Sequence, residues 1–146
     1  MGLSKQYLNE NHAMVRFNPD RLATILQERL PEAIFCLLLG SAAGGAIVPG
    51  SDIDLAFFLD GKPSFSFYTK AADAVAELLP AVRSDIGILN HAEPVYRYEA
   101  LKGRLLFVRD RERYNTFFSL ACREYESQMI SYQRQMKYRL EAANAL

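Results

Sequence analysis

The sequence predicts one α+β domain, in which a small mixed β-sheet is flanked by helices and followed by a long C-terminal helix. Three observations predict this class. Four short apolar runs have the length of strands, amphipathic segments separate them, and the last third of the chain has apolar residues at helical spacing. With 146 residues, half of them hydrophobic, the chain is long enough to bury one core. We therefore expect a single domain spanning residues 1–146.

The chain begins with a polar segment that leads into a helix. Residues 1–18 are polar, and we expect no regular structure there. Asn18 is a typical N-cap residue, and Pro19 suits the first helical position. Pro31 ends the apolar stripe that follows. These signals predict a helix between Asn18 and Pro31.

Apolar runs bounded by turn residues predict the strands. Their lack of alternation is typical of strands that are buried on both faces. The four predicted strands are Ala33–Leu39, Asp52–Leu59, Ala81–Leu89 and Arg104–Val108.

Helical spacing predicts the remaining elements. Tyr68, Val75 and Leu79 would form the buried stripe of a helix over residues 65–79. A short helix begins at Pro94 and ends before Gly103. A long helix is predicted from about Asp110 to the end. Its apolar positions are Tyr114, Phe118, Ala121, Tyr125, Met129, Tyr132, Met136 and Leu140.

Charge and composition exclude several classes of protein. The formal net charge is zero, so nothing global indicates nucleic-acid binding, and no apolar run is long enough for a membrane span. No secretion signal is recognisable, and Cys36 and Cys122 lack metal-ligand spacing, so we expect a cytoplasmic protein with two buried thiols. His12 and His91 are expected to be incidental. Residues 102–139 are basic, which hints at a partner surface.

The candidate site centres on carboxylates. Asp52 and Asp54 are two residues apart at the start of a strand, so their side chains would project from one face. Paired carboxylates repel each other unless a cation lies between them, and Mg²⁺ prefers such oxygen ligands. The alternative is a solvated acidic pair. Asp85 interrupts another apolar strand, where it is either a third metal ligand or an acid that faces water from an edge strand.

A turn of small residues precedes the acidic pair by a fixed interval. Gly40 and Ser41 follow the first buried strand, and ten residues separate them from Asp52. The hydroxyl and the backbone N–H groups of such a turn suit phosphate oxygens, although a serine there is also an ordinary helix cap. Together the turn and the carboxylates predict a metal–nucleotide site.

This arrangement resembles the DNA polymerase β-like nucleotidyltransferase superfamily, and the length resembles its minimal members, the MNT proteins. The resemblance covers residues 33–109, and the segment Ser51-Asp52-Ile53-Asp54-Leu55 carries much of it. It implies the nucleotidyltransferase fold, with ATP and two Mg²⁺ ions as cofactors. It implies metal-binding and catalytic roles for Asp52, Asp54 and Asp85. The nucleotide-binding residues would be Gly40, Ser41, Gly45 and Ser51.

MNT proteins of this size resemble the antitoxin half of HEPN–MNT toxin–antitoxin pairs. That resemblance implies transfer of AMP from ATP to a tyrosine of a HEPN ribonuclease toxin, which silences the toxin. The two proteins would form a hetero-oligomer through the C-terminal helix, residues 110–146. No binding to nucleic acid or membrane is expected. The alternatives are a nucleotidyltransferase for a small molecule, such as an antibiotic, and a non-enzymatic antitoxin that acts by binding alone.

One departure from the family pattern concerns the turn. Related proteins often have an arginine or another large residue within it, whereas this chain has Ala42-Ala43-Gly44-Gly45. The charge of the phosphates would then be met by Arg83, by Arg104 or by residues of a partner.

Overall fold

The computed structural model describes residues 14–145 as a four-stranded sheet with two helices on each face. The strands are β1 (Val15–Arg16), β2 (Ala33–Leu38), β3 (Ala46–Ile47), β4 (Ile53–Leu59), β5 (Ser84–Ile88) and β6 (Arg104–Val108). The helices are α1 (Pro19–Arg29), α2 (Phe65–Leu78), α3 (Pro94–Leu101) and α4 (Arg111–Asn144), and a 3₁₀ turn spans Gly40–Gly44. The predicted mixed sheet and long C-terminal helix are confirmed.

The sheet has the strand order β5-β4-β2-β6. β2 runs antiparallel to both neighbours, β4 and β6, while β4 and β5 are parallel. The end of β2 therefore lies at the same end of the sheet as the beginnings of β4 and β5. This topology brings the turn after β2 to the two strands that carry the predicted acidic residues.

Two cores cover the two faces of the sheet. α1 and α2 pack on one face, where Leu26, Leu55 and Phe57 are buried. α3 and α4 pack on the other face, over Phe35 and Ala56. Residues of β4 alternate between the two cores, which is why its sequence reads as a continuous apolar run.

Side chains cap the first turns of two helices. The Asn18 side chain accepts a hydrogen bond from the backbone N–H of Asp20 at 3.0 Å, as an N-cap residue does. The Asp110 side chain accepts one from the N–H of Arg113 at 3.1 Å and so caps α4. Within residues 14–145, no helix has the length and apolar character that crossing a membrane requires.

The structure corrects the N-terminal prediction in part. Residues 1–13 lie outside the described residues, but Val15 and Arg16 pair with Ile47 and Ala46 in a two-stranded antiparallel ribbon. Two-residue strands carry no periodic signal, so the sequence could not indicate this ribbon.

The buried face of α2 differs from the prediction in part, since the predicted Val75 and Leu79 are buried but Tyr68 is not. Phe67, Ala71, Ala74 and Val75 are buried there, whereas Tyr68 is 45% exposed. The ring of Phe67 packs edge-on against Phe57 with centroids 5.2 Å apart, which joins the buried face of the helix to β4.

Phe57→Ala should destabilise the protein by about 3–5 kcal/mol, because it leaves a cavity in the core beneath β4. The matched control is Phe65→Ala, since Phe65 is the same residue type and 99% exposed. Its free energy of unfolding should stay within about 0.5 kcal/mol of wild type. Urea denaturation measures both, and equal losses would contradict this assignment of the core.

Candidate active site

Two of the predicted carboxylates lie side by side on neighbouring strands. Asp54 on β4 is the direct register partner of Asp85 on β5. In a parallel pair, register partners project from the same face, and neighbouring strands are about 4.8 Å apart. Ile53 and Leu55, which flank Asp54, point into the opposite core with α1 and α2. Asp54 and Asp85 therefore share the face of the sheet that α3 and α4 cover.

Asp52 lies just before β4 rather than within it, because the strand begins at Ile53. The backbone N–H of Ile53 donates to the carbonyl of Arg83 at 2.9 Å, which fixes the start of the β4–β5 pair. Asp52 is exposed and lines the same cleft as Asp54. The structure thus brings the predicted acidic residues to one end of the sheet.

The sequence argument for a buried Asp85 is wrong. β5 is an edge strand and Asp85 is exposed to solvent. The edge-strand alternative describes its exposure correctly, yet its carboxylate also stands beside that of Asp54. The single sequence could not reveal the edge position, because strand order depends on contacts between distant segments.

Mutual repulsion is evident in the pKa of Asp54. Partial burial raises the pKa of its carboxyl above the ordinary value, and the negative charges of Asp85 and Asp52 raise it further. None of the salt bridges among residues 14–145 involves these three residues. Nor do any three His, Cys, Asp or Glu side chains in this part of the chain approach closely enough to form a metal site by themselves.

The predicted phosphate-binding turn borders the carboxylates. The 3₁₀ turn Gly40–Gly44 follows β2, and the N–H of Leu39 donates to the carbonyl of Asp54 at 2.9 Å, which ties the turn to β4. A cleft of about 420 Å³ lies between them. Its lining residues are Leu39, Gly40, Ser41, Ala42, Ser51, Asp52 and Asp54.

Ser41 is not a helix cap in this structure. The N-cap position of the turn is Leu39, which makes no side-chain capping bond, and Ser41 is exposed at the cleft. Ser51 lines the opposite side, where its N–H donates to the carbonyl of Val48 at 3.0 Å. Both serines therefore lie where they could contact a ligand bound in the cleft.

Gly45 is required for a structural reason. Its φ is +89°, and a Cβ there would lie 2.9 Å from the carbonyl oxygen of Phe17. The N–H of Phe17 donates to the carbonyl of Gly45 at 3.0 Å. The close approach of the N-terminal ribbon thus demands glycine at this position, and Gly45 is not among the residues that line the cleft.

Sequence reasoning missed Tyr96. A Cβ at Gly87 would lie 2.0 Å from its hydroxyl oxygen, so the tyrosine occupies the space that a side chain at residue 87 would need. Burial raises the pKa of Tyr96, as do the charges of Asp85 and then Asp54, which places its hydroxyl near the carboxylates. The available signal was Gly87 itself, because glycine within a strand often marks a close approach.

Solved structures share this fold. A mutant of the toxin–antitoxin complex MntA-HpeT has a TM-score of 0.68 and 17% identity, covering 85% of this chain and 99% of that chain. A toxin–antitoxin structure with AMP-PNP has a TM-score of 0.66 and 18% identity over 85% and 99% of the two chains. The structure of a tri-AMPylated Shewanella oneidensis HEPN toxin in complex with MNT antitoxin has a TM-score of 0.61 and 16% identity over 84% and 95%.

No curated protein matches the chain in sequence. A sequence model of one family does match, however, and its description is Polymerase beta, Nucleotidyltransferase. The match spans residues 20–112, from α1 to the first turn of α4, and so includes the turn, the cleft and all three carboxylates. The chain therefore belongs to the polymerase β nucleotidyltransferase family.

Proposed function

We propose that this protein is an antitoxin that transfers AMP from ATP to a tyrosine of a HEPN toxin, in a reaction that needs Mg²⁺. The observation that carries the proposal is the placement of Asp54 beside Asp85, next to the cleft under the Gly40–Gly44 turn, in a nucleotidyltransferase family member. The related structures add support, since they are toxin–antitoxin complexes, one with AMP-PNP and one with a tri-AMPylated HEPN toxin.

The donor set of the site fits Mg²⁺. Carboxylate oxygens are the ligands that this ion prefers. Partial burial raises the pKa of Asp54, and the negative charges of Asp85 and Asp52 raise it further, so a cation here would be stabilised by nearby negative charge. Asp52, Asp54 and Asp85 would hold the ion, with phosphate oxygens of the nucleotide as further ligands. When bound, Mg²⁺ would neutralise charge on the carboxylates and on the reacting phosphate.

The proposed transfer forms one bond and breaks one. The hydroxyl oxygen of the acceptor tyrosine attacks the α-phosphorus of ATP, and the bond from that phosphorus to the oxygen bridging to the β-phosphate breaks, so that pyrophosphate leaves. Asp85 would accept the hydroxyl proton, since its exposed position on the edge strand is open to a side chain of another protein. Gly40 and Ser41 would bind the phosphates.

The distal half of α4 is suited to docking the toxin. From Ile130 onward every described residue of the helix is exposed, and the family match ends at residue 112. Tyr132 is 57% exposed, Met136 37% and Leu140 61%, and their spacing of four residues places them on one face. Isolated helical segments of this length are marginal in water, so an apolar face here calls for a partner.

Asp52→Asn and Asp54→Asn should each abolish detectable AMP transfer, because each removes a carboxylate from the site. The assay incubates the protein with Mg²⁺, ATP and a folded HEPN toxin, and mass spectrometry detects added AMP. The matched control is Asp73→Asn, an exposed aspartate on α2, which should transfer AMP at the wild-type rate.

The outcomes of this assay separate the candidate functions. No transfer by the wild-type protein to a folded toxin would refute the enzymatic proposal. If Asp52→Ala with Asp54→Ala still neutralises the toxin at ordinary expression levels, the protein acts by binding alone.

Asp54→Asn should also stabilise the protein slightly at pH 7 in the absence of Mg²⁺. The pKa of Asp54 is raised in the folded state, by partial burial first and then by the charges of Asp85 and Asp52, so its ionisation costs folding free energy. This cost is present above the folded-state pKa and disappears as the pH falls below the ordinary carboxyl value of 3.8. Thermal denaturation at pH 7 and pH 3.5 should show the gain only at pH 7. A loss of stability at pH 7 would contradict the repulsion.

Tyr132→Ala combined with Leu140→Ala should weaken the complex with the toxin about 100-fold, because it truncates two large apolar side chains of the docking face. Ser127→Ala with Glu141→Ala changes two exposed residues on the opposite face of α4, and this matched control should leave affinity unchanged. Calorimetric titration measures both. Circular dichroism should show equal helix content, and equal weakening by both pairs would place the interface elsewhere.

A further inference from the structure

The phosphate-binding side of the site lacks positive charge of its own. The turn sequence Gly40-Ser41-Ala42-Ala43-Gly44-Gly45 contains no basic residue, and the cleft beside it is lined by two aspartates. ATP brings a polyphosphate with about four negative charges, of which its terminal phosphate carries the largest share. Mg²⁺ at the carboxylates would neutralise part of this charge. A basic side chain from another segment of the chain would neutralise more of it where the turn binds the terminal phosphate.

Arg104 stands against this turn. It is the first residue of β6 and pairs with Leu38, the last residue of β2, so its side chain emerges where the turn begins. Its Nη1 lies 3.4 Å from the carbonyl oxygen of Ala43, and its Nη2 lies 3.4 Å from Oδ1 of Asp20. The guanidinium therefore bridges the turn and the start of α1.

The present partners of Arg104 hold it weakly. Both contacts are long for hydrogen bonds, and the side chains of Arg104 and Asp20 are 44% and 87% exposed. An ion pair this exposed contributes little to stability. Exchanging Asp20 for a phosphate would replace one long contact with the bidentate pairing that a guanidinium favours.

The position of Arg104 determines which phosphate of a bound nucleotide it could contact. Its strand partner Leu38 packs in the core with α1, on the face of the sheet opposite Asp54 and Asp85. The turn thus stands between Arg104 and the carboxylates. A nucleotide with its α-phosphate at the carboxylates and its polyphosphate along the turn would present the terminal phosphate, not the α-phosphate, to Arg104.

We propose that Arg104 binds the terminal phosphate of ATP and makes the site prefer ATP over AMP. This rests on the proposed function for the location of the α-phosphate. Arg104 is a substrate-binding residue in this account, distant from the bond that breaks. Its loss should raise the KM for ATP while kcat stays within about twofold of wild type.

The test measures binding of ATP and of AMP to the full chain with Mg²⁺ by calorimetry. Arg104→Gln should weaken ATP binding about tenfold or more, the value of a charge-assisted hydrogen bond, and leave AMP binding within about twofold. Lys102→Gln controls for loss of one surface charge, since Lys102 lies two residues before Arg104 and pairs with Glu99 instead, and it should change neither affinity. Asp20→Asn removes the competing carboxylate and should preserve or strengthen ATP binding.

The other possible results show which of the two proposals fails. Wild-type affinity for ATP in Arg104→Gln overturns the inference and leaves the proposed function standing. Equal weakening of ATP and AMP, or a loss in Asp20→Asn that matches Arg104→Gln, makes Arg104 a structural link between α1 and the turn and overturns it as well. If the wild-type protein binds neither nucleotide, both proposals fall. If the expected binding pattern occurs without AMP transfer, only the proposed function fails.

Discussion

The parallel pairing of β4 with β5 is the constraint on which the rest of the site depends. It places Asp54 beside Asp85 at the start of two strands whose remaining residues are held by the cores on either side. Carboxylates this close repel each other, and the pKa of Asp54 is raised by its partial burial first and by this repulsion second. The fold maintains the arrangement because burial of residues such as Phe57 and Leu55 outweighs it. Such a cluster costs stability, and a bound cation would offset this cost.

The sequence predicted those features of the structure that depend on interactions between residues close together in the chain. The cap at Asn18, the helical spacing of apolar residues and the continuous apolar runs located the helices and the main strands to within a few residues. Two sequence features correctly identified a cleft that is present in the structure. They are the interval from Gly40 to Asp52 and the two-residue spacing of the acidic pair. Strand order and register determine three features that the sequence did not reveal. These are the exposure of Asp85, the contact of Tyr96 with Gly87 and the approach of Arg104 to the turn. Each joins segments far apart in sequence, so no local pattern could indicate it.

The molecule consists of a packed body and an exposed helical extension, the distal half of α4. Residues 20–112 match the family and hold the turn and the carboxylates, while the distal half of α4 lies beyond both cores. The stacked rings of Tyr98 and Tyr125, with centroids 3.9 Å apart, mark where α4 leaves α3. Beyond that point the exposed apolar face has no partner within the described part of the chain. A partner docked there would approach the body from the side of α3 and α4, the same face from which Asp54 and Asp85 project.

Anomalous diffraction from crystals grown with Mn²⁺ and a non-hydrolysable ATP analogue tests the central claim most directly. Mn²⁺ takes the oxygen ligands that Mg²⁺ takes, and its anomalous signal locates it without assumptions about the reaction. The account predicts a peak shared by the side chains of residues 52, 54 and 85, with the phosphates of the analogue along the glycine–serine turn. Nucleotide bound elsewhere, or a metal peak that none of these three carboxylates contacts, would contradict it.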